Sequence, residues 1–198
     1  MDKFVPRKLG LFLLVVLLNS VGYKLAQFLR PEGVLVTTWL DSFIPFIPAF
    51  VVPYALYPII GILPFVVFWK SYRKYKTVAL SMVAVLAISI AVFLAFQTSI
   101  TRVDFVVDDL FTWGVSVVYS LDEPLNALPS LHVAIPVIAT LFIYAENKRL
   151  GLCILPMTVL VALSTVFIKQ HAILDVIAGM ALALAVFKCR KFFSSGKK

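Results

Sequence analysis

The chain has 198 residues, of which 62% are hydrophobic and 14% are charged, and its formal net charge is +8. Soluble domains average roughly 45–50% hydrophobic and about 25% charged residues, so this composition excludes a soluble globular domain and predicts an integral, multi-pass membrane protein. The positive charge requires no nucleic-acid partner, because basic segments that face anionic lipid account for it.

Six hydrophobic segments follow one another along the chain. About 20 apolar residues cross a bilayer as an α-helix, and most of the segments reach or approach that length. The expected spans are Leu9–Leu29, Phe43–Trp69, Thr77–Thr101, Ser130–Ala145, Leu150–Ile168 and Gln170–Phe187. The sequence therefore predicts an all-α membrane protein, a bundle of six transmembrane helices that forms a single domain over residues 1–198.

Prolines interrupt the second predicted span. Each one removes a backbone hydrogen-bond donor, and irregular backbone is tolerated inside a membrane only where it packs against protein. We therefore expect the segment Ile44–Pro58 to be broken or re-entrant. Tyr54 and Tyr57 in this segment could line a path for lipid, or serve as ordinary interfacial aromatics. The prolines are Pro45, Pro48, Pro53, Pro58 and Pro64.

The longest polar connection joins spans three and four and contains the apolar stretch Leu110–Leu121. Twelve residues are too few to cross a bilayer, and Phe111, Trp113 and Tyr119 are typical interfacial anchors. The pattern predicts an extracytoplasmic interfacial helix between spans three and four. Asp122 and the neighbouring Glu123 are expected to be solvated loop charges.

The charged residues are distributed unequally between the two ends of the predicted bundle. By the positive-inside rule, the basic end faces the cytoplasm, so both termini are expected there and both histidines at the extracytoplasmic face. Six spans also require both termini on one side. Fourteen of the 18 cations mark the basic end: Lys3, Arg7, Lys8, Lys70, Arg73, Lys74, Lys76, Lys148, Arg149, Lys188, Arg190, Lys191, Lys197 and Lys198.

The chain has only two histidines, and each stands at the edge of an uncharged run. Ionisable residues at membrane depth are candidates for function. A helix that begins near Gln170 would place His171 and Asp175 on one face, four residues apart. His132 ends the sequence Pro129-Ser130-Leu131-His132, which is expected to open a helix whose free N–H groups form an anion site, with the Ser130 hydroxyl beside them.

These residue types suit phosphoryl transfer. A neutral imidazole can attack phosphorus while a carboxylate fixes its tautomer, which is the role expected of His171 with Asp175. His132 could protonate the leaving oxygen and then activate water. Arg102 and Lys169 are the cations expected to bind phosphate, since a guanidinium holds two phosphate oxygens at once.

Each candidate residue could instead have a purely structural role, without binding or reacting with a substrate. His132 could bond the backbone at a helix start, and His171 with Asp175 could be a polar pair that joins two helices. Arg102 and Lys169 could extend to the membrane interface. Two histidines and one aspartate could hold a metal, but no compact motif such as His-Glu-x-x-His is present, so neither a metal nor another cofactor is expected.

Three segments resemble the motifs of the type 2 phosphatidic acid phosphatase superfamily. Pro129-Ser130-Leu131-His132 resembles its Pro-Ser-Gly-His motif, the segment from Ser164 to Asp175 resembles Ser-Arg-x5-His-x3-Asp, and Arg102 looks like the arginine of Lys-x6-Arg-Pro. The resemblance implies a six-helix membrane bundle and a metal-free phosphohistidine mechanism. In that mechanism His171 is the nucleophile, Asp175 orients it and His132 is the acid and base.

The resemblance also implies that Arg102, Ser130 and the backbone amide of Leu131 hold the phosphate. The chain departs from the motifs at three positions: Ala95 replaces the lysine, Val103 the proline and Thr165 the arginine. Our hypothesis is that Lys169 supplies one of the two missing charges.

The expected function is a membrane lipid phosphatase whose substrate is a lipid phosphate or diphosphate such as phosphatidate, phosphatidylglycerol phosphate or a polyprenyl diphosphate. The sequence is also similar to a divergent branch that includes small bacterial members and shares features with inositol phosphorylceramide synthase. A bacterial plasma membrane is therefore the expected location. This similarity leaves open a phosphotransferase that uses an alcohol acceptor, and the missing motif cations leave open a non-catalytic lipid-binding or transport protein.

Overall fold

A computed structural model describes residues 4–194, most of which are helical. Short 3₁₀ segments cover Trp39–Phe43 and Pro48–Phe50, and a π-helical turn, Leu18–Gly22, joins the first two α-helices. The α-helices are α1 Val5–Leu17, α2 Tyr23–Leu29, α3 Val51–Tyr54, α4 Tyr57–Val67, α5 Tyr72–Ala95, α6 Leu110–Leu121, α7 Leu131–Glu146, α8 Lys148–Phe167, α9 Ile173–Lys188 and α10 Lys191–Ser194.

Within residues 4–194, four helical segments are long and apolar enough to cross a membrane: Val5–Leu29, Pro48–Val67, Tyr72–Ala95 and Lys148–Phe167. The helices α7 and α9 have 16 residues each, or roughly 24 Å at about 1.5 Å per residue, which is less than the ~30 Å of a bilayer core. The count of six spans therefore stays a prediction. The termini, residues 1–3 and 195–198, lie outside the described residues, and their cytoplasmic location stays a prediction too.

The second predicted span is broken, as its prolines indicated. It consists of a 3₁₀ turn at Pro48–Phe50, the short helix α3 and then α4. Pro48 and Pro58 lie in the first turn of their helices, where the missing N–H would have no helical acceptor in any case. The break turns the α3 segment toward α6 and α8, against which it packs.

A small parallel strand pair, which the sequence did not predict, accompanies the helices. The strands β1, Val34–Leu35, and β2, Thr98–Ser99, are two residues long each, and Val34 pairs with Thr98. A Cβ atom at Gly33 would lie 2.7 Å from the Thr98 carbonyl carbon, so this close approach requires glycine. The pair holds the segment after α2 against the segment after α5.

The helix α7 is central, since it packs against α4, α5, α8 and α9. Its residues Ala134, Ile138 and Ile143 are fully buried. The crossing with α9 is very close: the Ser130 N–H donates to the Asp175 carbonyl oxygen at 3.1 Å, and a Cβ atom on Gly179 would lie 2.5 Å from the Ser130 carbonyl oxygen. This crossing brings the first turns of α7 and α9 together.

Candidate active site

Both histidines belong to one chain of hydrogen-bonded side chains. The Asp175 Oδ2 atom lies 3.3 Å from Nδ1 of His171, and Nε2 of His171 lies 3.2 Å from Nδ1 of His132. The Nε2 atom of His132 lies 2.8 Å from the Tyr54 hydroxyl oxygen. The four side chains come from α9, the α8–α9 link, α7 and α3, so the fold brings together residues that are far apart in sequence.

One arrangement of protons satisfies all three of these hydrogen bonds. A carboxylate only accepts, so His171 carries its proton on Nδ1 and donates it to Asp175. Its Nε2 atom then has a lone pair and accepts from Nδ1–H of His132. The Nε2 atom of His132 accepts in turn from the Tyr54 hydroxyl. Both imidazoles are neutral in this arrangement, and His171 has the unprotonated nitrogen that a nucleophile requires.

The prediction of a helix that begins near Gln170 was wrong. The helix α9 begins at Ile173, and His171 lies in the preceding turn, where the Thr165 carbonyl accepts from the N–H groups of Gln170 and His171 at 2.8 and 3.0 Å. Asp175 still reaches His171 because its carboxylate folds back over the helix start, where Oδ2 also accepts from the Ala172 N–H at 2.8 Å. A carboxylate at this end is favoured by the helix dipole.

Asp175 is fully buried, and its Oδ1 atom has no hydrogen-bond partner among the described residues. Within residues 4–194, no group of three or more His, Cys, Asp and Glu side chains is arranged to hold a metal ion.

Two tyrosine rings enclose His132. The ring centroids of Tyr54 and Tyr57 lie 4.8 and 4.6 Å from the centroid of the imidazole. Tyr57 donates its hydroxyl to the Asn19 Oδ1 atom at 2.7 Å, so of the two tyrosines it is Tyr54 that bonds the imidazole. The sequence placed both tyrosines in the broken second span, but it did not assign Tyr54 to the site.

The Arg102 guanidinium is bonded to the α8–α9 link that carries His171. Its Nη1 atom donates to the Tyr119 carbonyl at 3.0 Å, and Nη2 donates to the Asp122 carbonyl and to Oε1 of Gln170. Gln170 directly precedes His171, so it connects Arg102 to the histidine pair. The Nε atom of Arg102 is buried without a partner among the described residues. Burial raises the pKa of the Tyr119 hydroxyl to about 12, although Arg102 acts to lower this pKa. The Tyr119 hydroxyl therefore keeps its proton and donates it to the Ile168 carbonyl.

Asp122 is not the solvated loop charge that the sequence predicted. Its side chain is 16% exposed, because the polar residues of α2 and the α8–α9 link surround it. Glu123, by contrast, is exposed as expected. The contacts of the Asp122 carboxylate at 3.0 to 3.5 Å are with Tyr23, Lys24, Gln27 and Gln170. Asp122 therefore orients Gln170, which itself bonds Arg102.

Lys169 bonds the backbone near the first 3₁₀ segment. Its Nζ atom donates to the carbonyls of Asp41 and Ile44 at 2.9 and 2.6 Å. Burial lowers the pKa of Lys169, and the Asp41 carboxylate acts in the opposite direction. An ammonium group has three N–H donors, so these two carbonyls leave one N–H for another acceptor.

A polar cavity lies beside each histidine. The cavity at His171, about 250 Å³, is lined by Lys169 and by several hydroxyl groups, those of Thr37, Thr38, Ser42 and Thr101. The cavity at His132, about 200 Å³, is lined by Leu131 and by the polar residues Asn19, Ser20, Tyr23, Lys24, Tyr57 and Asp122. Both histidines therefore adjoin space that a small polar group can occupy.

The helix start predicted around His132 is present. Ser130 is the N-cap residue of α7 and Leu131 is its first residue, so the N–H of Leu131 lacks an acceptor within its own helix. The Ser130 Oγ atom is buried without a partner among the described residues. Both groups are therefore available as donors at the end of α7 that carries His132.

A comparison with protein families identifies the chain. A model of the PAP2 superfamily matches residues 24–189, a range that contains Arg102 and both histidine motifs. No curated protein and no solved structure matches significantly. Because the family match covers most of the chain, the protein belongs to the PAP2 superfamily, the type 2 phosphatidic acid phosphatases, whose members are generally phosphatases that act on phosphate esters.

Proposed function

We propose that the protein hydrolyses a lipid phosphate or diphosphate of the phosphatidate, phosphatidylglycerol phosphate or polyprenyl diphosphate type, at the extracytoplasmic face of the membrane. The reaction proceeds through a phosphohistidine on His171. The observation that carries the proposal is the chain from Asp175 to Tyr54, because it leaves an unprotonated Nε2 on His171 and places a second imidazole 3.2 Å away.

In the first step the Nε2 atom of His171 forms a bond to phosphorus, and the bond from phosphorus to the leaving oxygen breaks. The hydrogen bond between the two imidazoles opens to admit the phosphoryl group. The neutral resting His132 takes up one proton on Nε2 as the anionic phosphate binds, and the Nδ1 proton of this imidazolium then passes to the leaving oxygen. Asp175 stabilises the positive charge that develops on His171.

In the second step His132 acts as the base. Its neutral Nδ1 atom takes a proton from water, the water oxygen bonds to phosphorus, and the bond between phosphorus and His171 breaks. In both protonation states of His132 within the cycle, Nε2–H can donate to the Tyr54 oxygen. A hydroxyl can accept as well as donate, so Tyr54 keeps Nδ1 as the reacting nitrogen.

The proposed phosphate ligands are Lys169, Arg102, Ser130 and the Leu131 amide. They supply the unused N–H of Lys169, the Nε of Arg102, the Ser130 hydroxyl and the first free amide of α7. A phosphomonoester carries roughly −1.5 to −2 charges at neutral pH. The positive charges of Lys169 and Arg102, with the partial positive charge at the N-terminus of α7, balance this negative charge.

Single-turnover labelling tests the proposal. Purified protein mixed with a ³²P-labelled lipid phosphate should acquire acid-labile label on His171, and His171→Ala should abolish both label and turnover while it elutes as a folded protein in size-exclusion chromatography. Activity should survive exhaustive chelation, since no step uses a metal. Normal turnover by the His171→Ala variant would exclude this mechanism.

The polar cavity beside His132 favours a second candidate function. Its amide and hydroxyl groups, from Asn19, Ser20, Tyr23 and Tyr57, suit a hydroxyl-bearing acceptor, which His132 would deprotonate in place of water. The protein would then be a phosphotransferase. The test is to add alcohols of graded size to the labelled reaction and to measure how the label divides between inorganic phosphate and a new phosphate ester.

A further inference from the structure

An apolar groove of about 570 Å³ lies among α7, α8 and α9. Val133 and Thr140 of α7 are buried and form its floor. Its rims include Leu163 on α8 and Ile177 on α9, which are 42% and 52% exposed. The floor hydroxyl of Thr140 pairs with that of Thr158 at 2.6 Å. The groove therefore presents a hydrocarbon surface along its length.

The length of the groove matches one leaflet of a bilayer. Its lining runs from Leu155 to Val166 on α8 and from Ile173 to Leu184 on α9. From 155 to 166, and again from 173 to 184, the chain advances 11 residues, which is roughly 16 Å at about 1.5 Å per residue. Half of a ~30 Å hydrocarbon core is roughly 15 Å. A single extended chain of one leaflet would fill the groove.

The groove meets the candidate active site at one end. Ile44 and Val166 line both the groove and the polar cavity beside His171. Lys169 lines that cavity, and its Nζ atom bonds the carbonyl of Ile44 itself. The groove thus ends at a cavity lined by the Lys169 cation and by His171, together with the Asp41 carboxylate, whose oxygens already accept hydrogen bonds from Thr38 and Ile173. A chain with a terminal phosphate requires this order, an apolar groove followed by a cation and the histidine.

We infer that this groove binds one linear hydrocarbon chain of the phosphorylated lipid, with its phosphate in the cavity beside His171. The inference rests on the proposed function and adds the position and length of the chain. A chain held by α8 and α9 fixes the depth of the phosphorus atom relative to Nε2 of His171, so occupancy of the groove contributes to the rate. Bulk lipid that only covers the groove would make no such contribution.

A bulky residue in the groove tests the inference. Ala162 lines the groove on α8, whereas Ala181 of α9 is exposed and lies outside the lining. We expect Ala162→Phe to lower kcat/KM at least tenfold for hexadecyl phosphate and less than twofold for butyl phosphate, whose chain is too short to enter. The matched control Ala181→Phe should change neither value more than twofold.

The other outcomes also decide the question. An equal loss with both esters would show a general distortion of the site, and an unchanged value for hexadecyl phosphate would show that the groove is covered by bulk lipid only; either result overturns the inference. Should Ala162→Phe not fold, Ile177→Trp obstructs the opposite rim and replaces it.

Binding separates this inference from the proposed function. Purified wild-type protein should retain hexadecylphosphonate, which has no ester bond to hydrolyse, and Ala162→Phe should retain at least tenfold less. If the wild-type protein hydrolyses neither ester, the proposed function fails, and this binding comparison still decides whether the groove holds a chain. Equal retention by the two proteins would overturn the chain site alone.

Discussion

In the proposed mechanism, Tyr54 determines which nitrogen of His132 faces the reacting phosphate. The hydroxyl bonds Nε2 at 2.8 Å, and the ring packs against the imidazole. Tyr57 packs against the same imidazole, but its hydroxyl bonds Asn19. Both tyrosine rings therefore pack against His132, but only the Tyr54 hydroxyl forms a hydrogen bond with it. This difference makes Tyr57 a matched control for substitutions of Tyr54.

We predict that Tyr54→Phe lowers kcat with little change in KM. The ring stays, so packing is kept, while the hydrogen bond that orients His132 is lost. Such a bond contributes about 1 kcal/mol, which corresponds to roughly a fivefold fall in kcat. Tyr57→Phe should change kcat less than twofold. Steady-state kinetics with one lipid phosphate would measure both variants, and equal effects would contradict an orienting role for the Tyr54 hydroxyl.

Asp41 connects the first 3₁₀ segment, Trp39–Phe43, to α9. Burial acts to raise the pKa of the Asp41 carboxyl group. Hydrogen bonds from the Ile173 N–H and from the N–H and hydroxyl of Thr38 act to lower this pKa, and their effect is larger. The pKa of Asp41 therefore lies below its ordinary value. A pKa that is lower in the folded protein contributes stability above the unfolded pKa of about 3.9, and this contribution is lost as the pH falls through the folded pKa.

We therefore predict that Asp41→Asn destabilises the protein at neutral pH and that the difference from wild type shrinks below about pH 4. The amide keeps the shape of the side chain but loses the charge that these donors bond. Thermal unfolding of the detergent-solubilised proteins between pH 3 and pH 7 measures the effect. A difference in melting temperature that is constant across this range would mean that the Asp41 charge does not contribute.

The sequence predicts the candidate site residues whose chemistry is unusual for a membrane, but not those that join the candidate site only through tertiary contacts. His132, His171 and Asp175 were predicted because ionisable residues within apolar runs stand out. Tyr54 and Asp122 were not assigned to the site, because a tyrosine in a broken span and an aspartate in a loop have common alternative roles. Only the tertiary contacts with His132 and Gln170 distinguish them.

At the scale of elements, the crossing of α7 and α9 sets the distance between the two histidines. His132 lies in the first turn of α7, and Asp175, which bonds His171, lies in the first turn of α9. The backbones approach so closely at Gly179 that an added Cβ would lie 2.5 Å from the Ser130 carbonyl oxygen. The side chain at residue 179 thus controls the separation of these helix starts.

We predict that Gly179→Ala destabilises the protein by about 1–3 kcal/mol, the usual range for an overpacked contact, and lowers kcat because α9 must move away from His132. Gly10 of α1 has no atom within 4 Å of an added Cβ, so Gly10→Ala should be neutral or stabilising by up to about 1 kcal/mol. Thermal unfolding and kinetics of both variants test this prediction. Equal stability of the two would mean that the crossing adjusts freely.

The observed helix boundaries match the predicted ones where local sequence signals determine them. They differ from the predictions where contacts with distant residues determine them. The helix start at Leu131 and the 12-residue helix α6 match their predictions, because prolines, caps and apolar runs act locally. The start of α9 at Ile173 and the pairing of β1 with β2 were not predicted. The first depends on the backbone of Thr165 and the second on Gly33 lying against Thr98.

On the scale of the whole molecule, the charge pattern and the position of the site agree. Lys74, at the start of α5, pairs with Glu146, at the end of α7, at 2.6 Å, which groups these basic helix ends together. His132 lies at the opposite end of α7. If the basic end faces the cytoplasm, as the positive-inside rule predicts, the histidines open to the other side of the membrane.

Cysteine labelling measures this orientation. In a background with Cys153→Ser and Cys189→Ser, single cysteines would be introduced as Glu123→Cys or Lys148→Cys, both at exposed positions. A membrane-impermeant maleimide should label the Glu123→Cys variant in intact cells and the Lys148→Cys variant only after permeabilisation, because Glu123 follows α6 on the side of the site and Lys148 begins α8 at the basic end. The reverse pattern would place the site in the cytoplasm, and its substrate would then be a lipid of the inner leaflet.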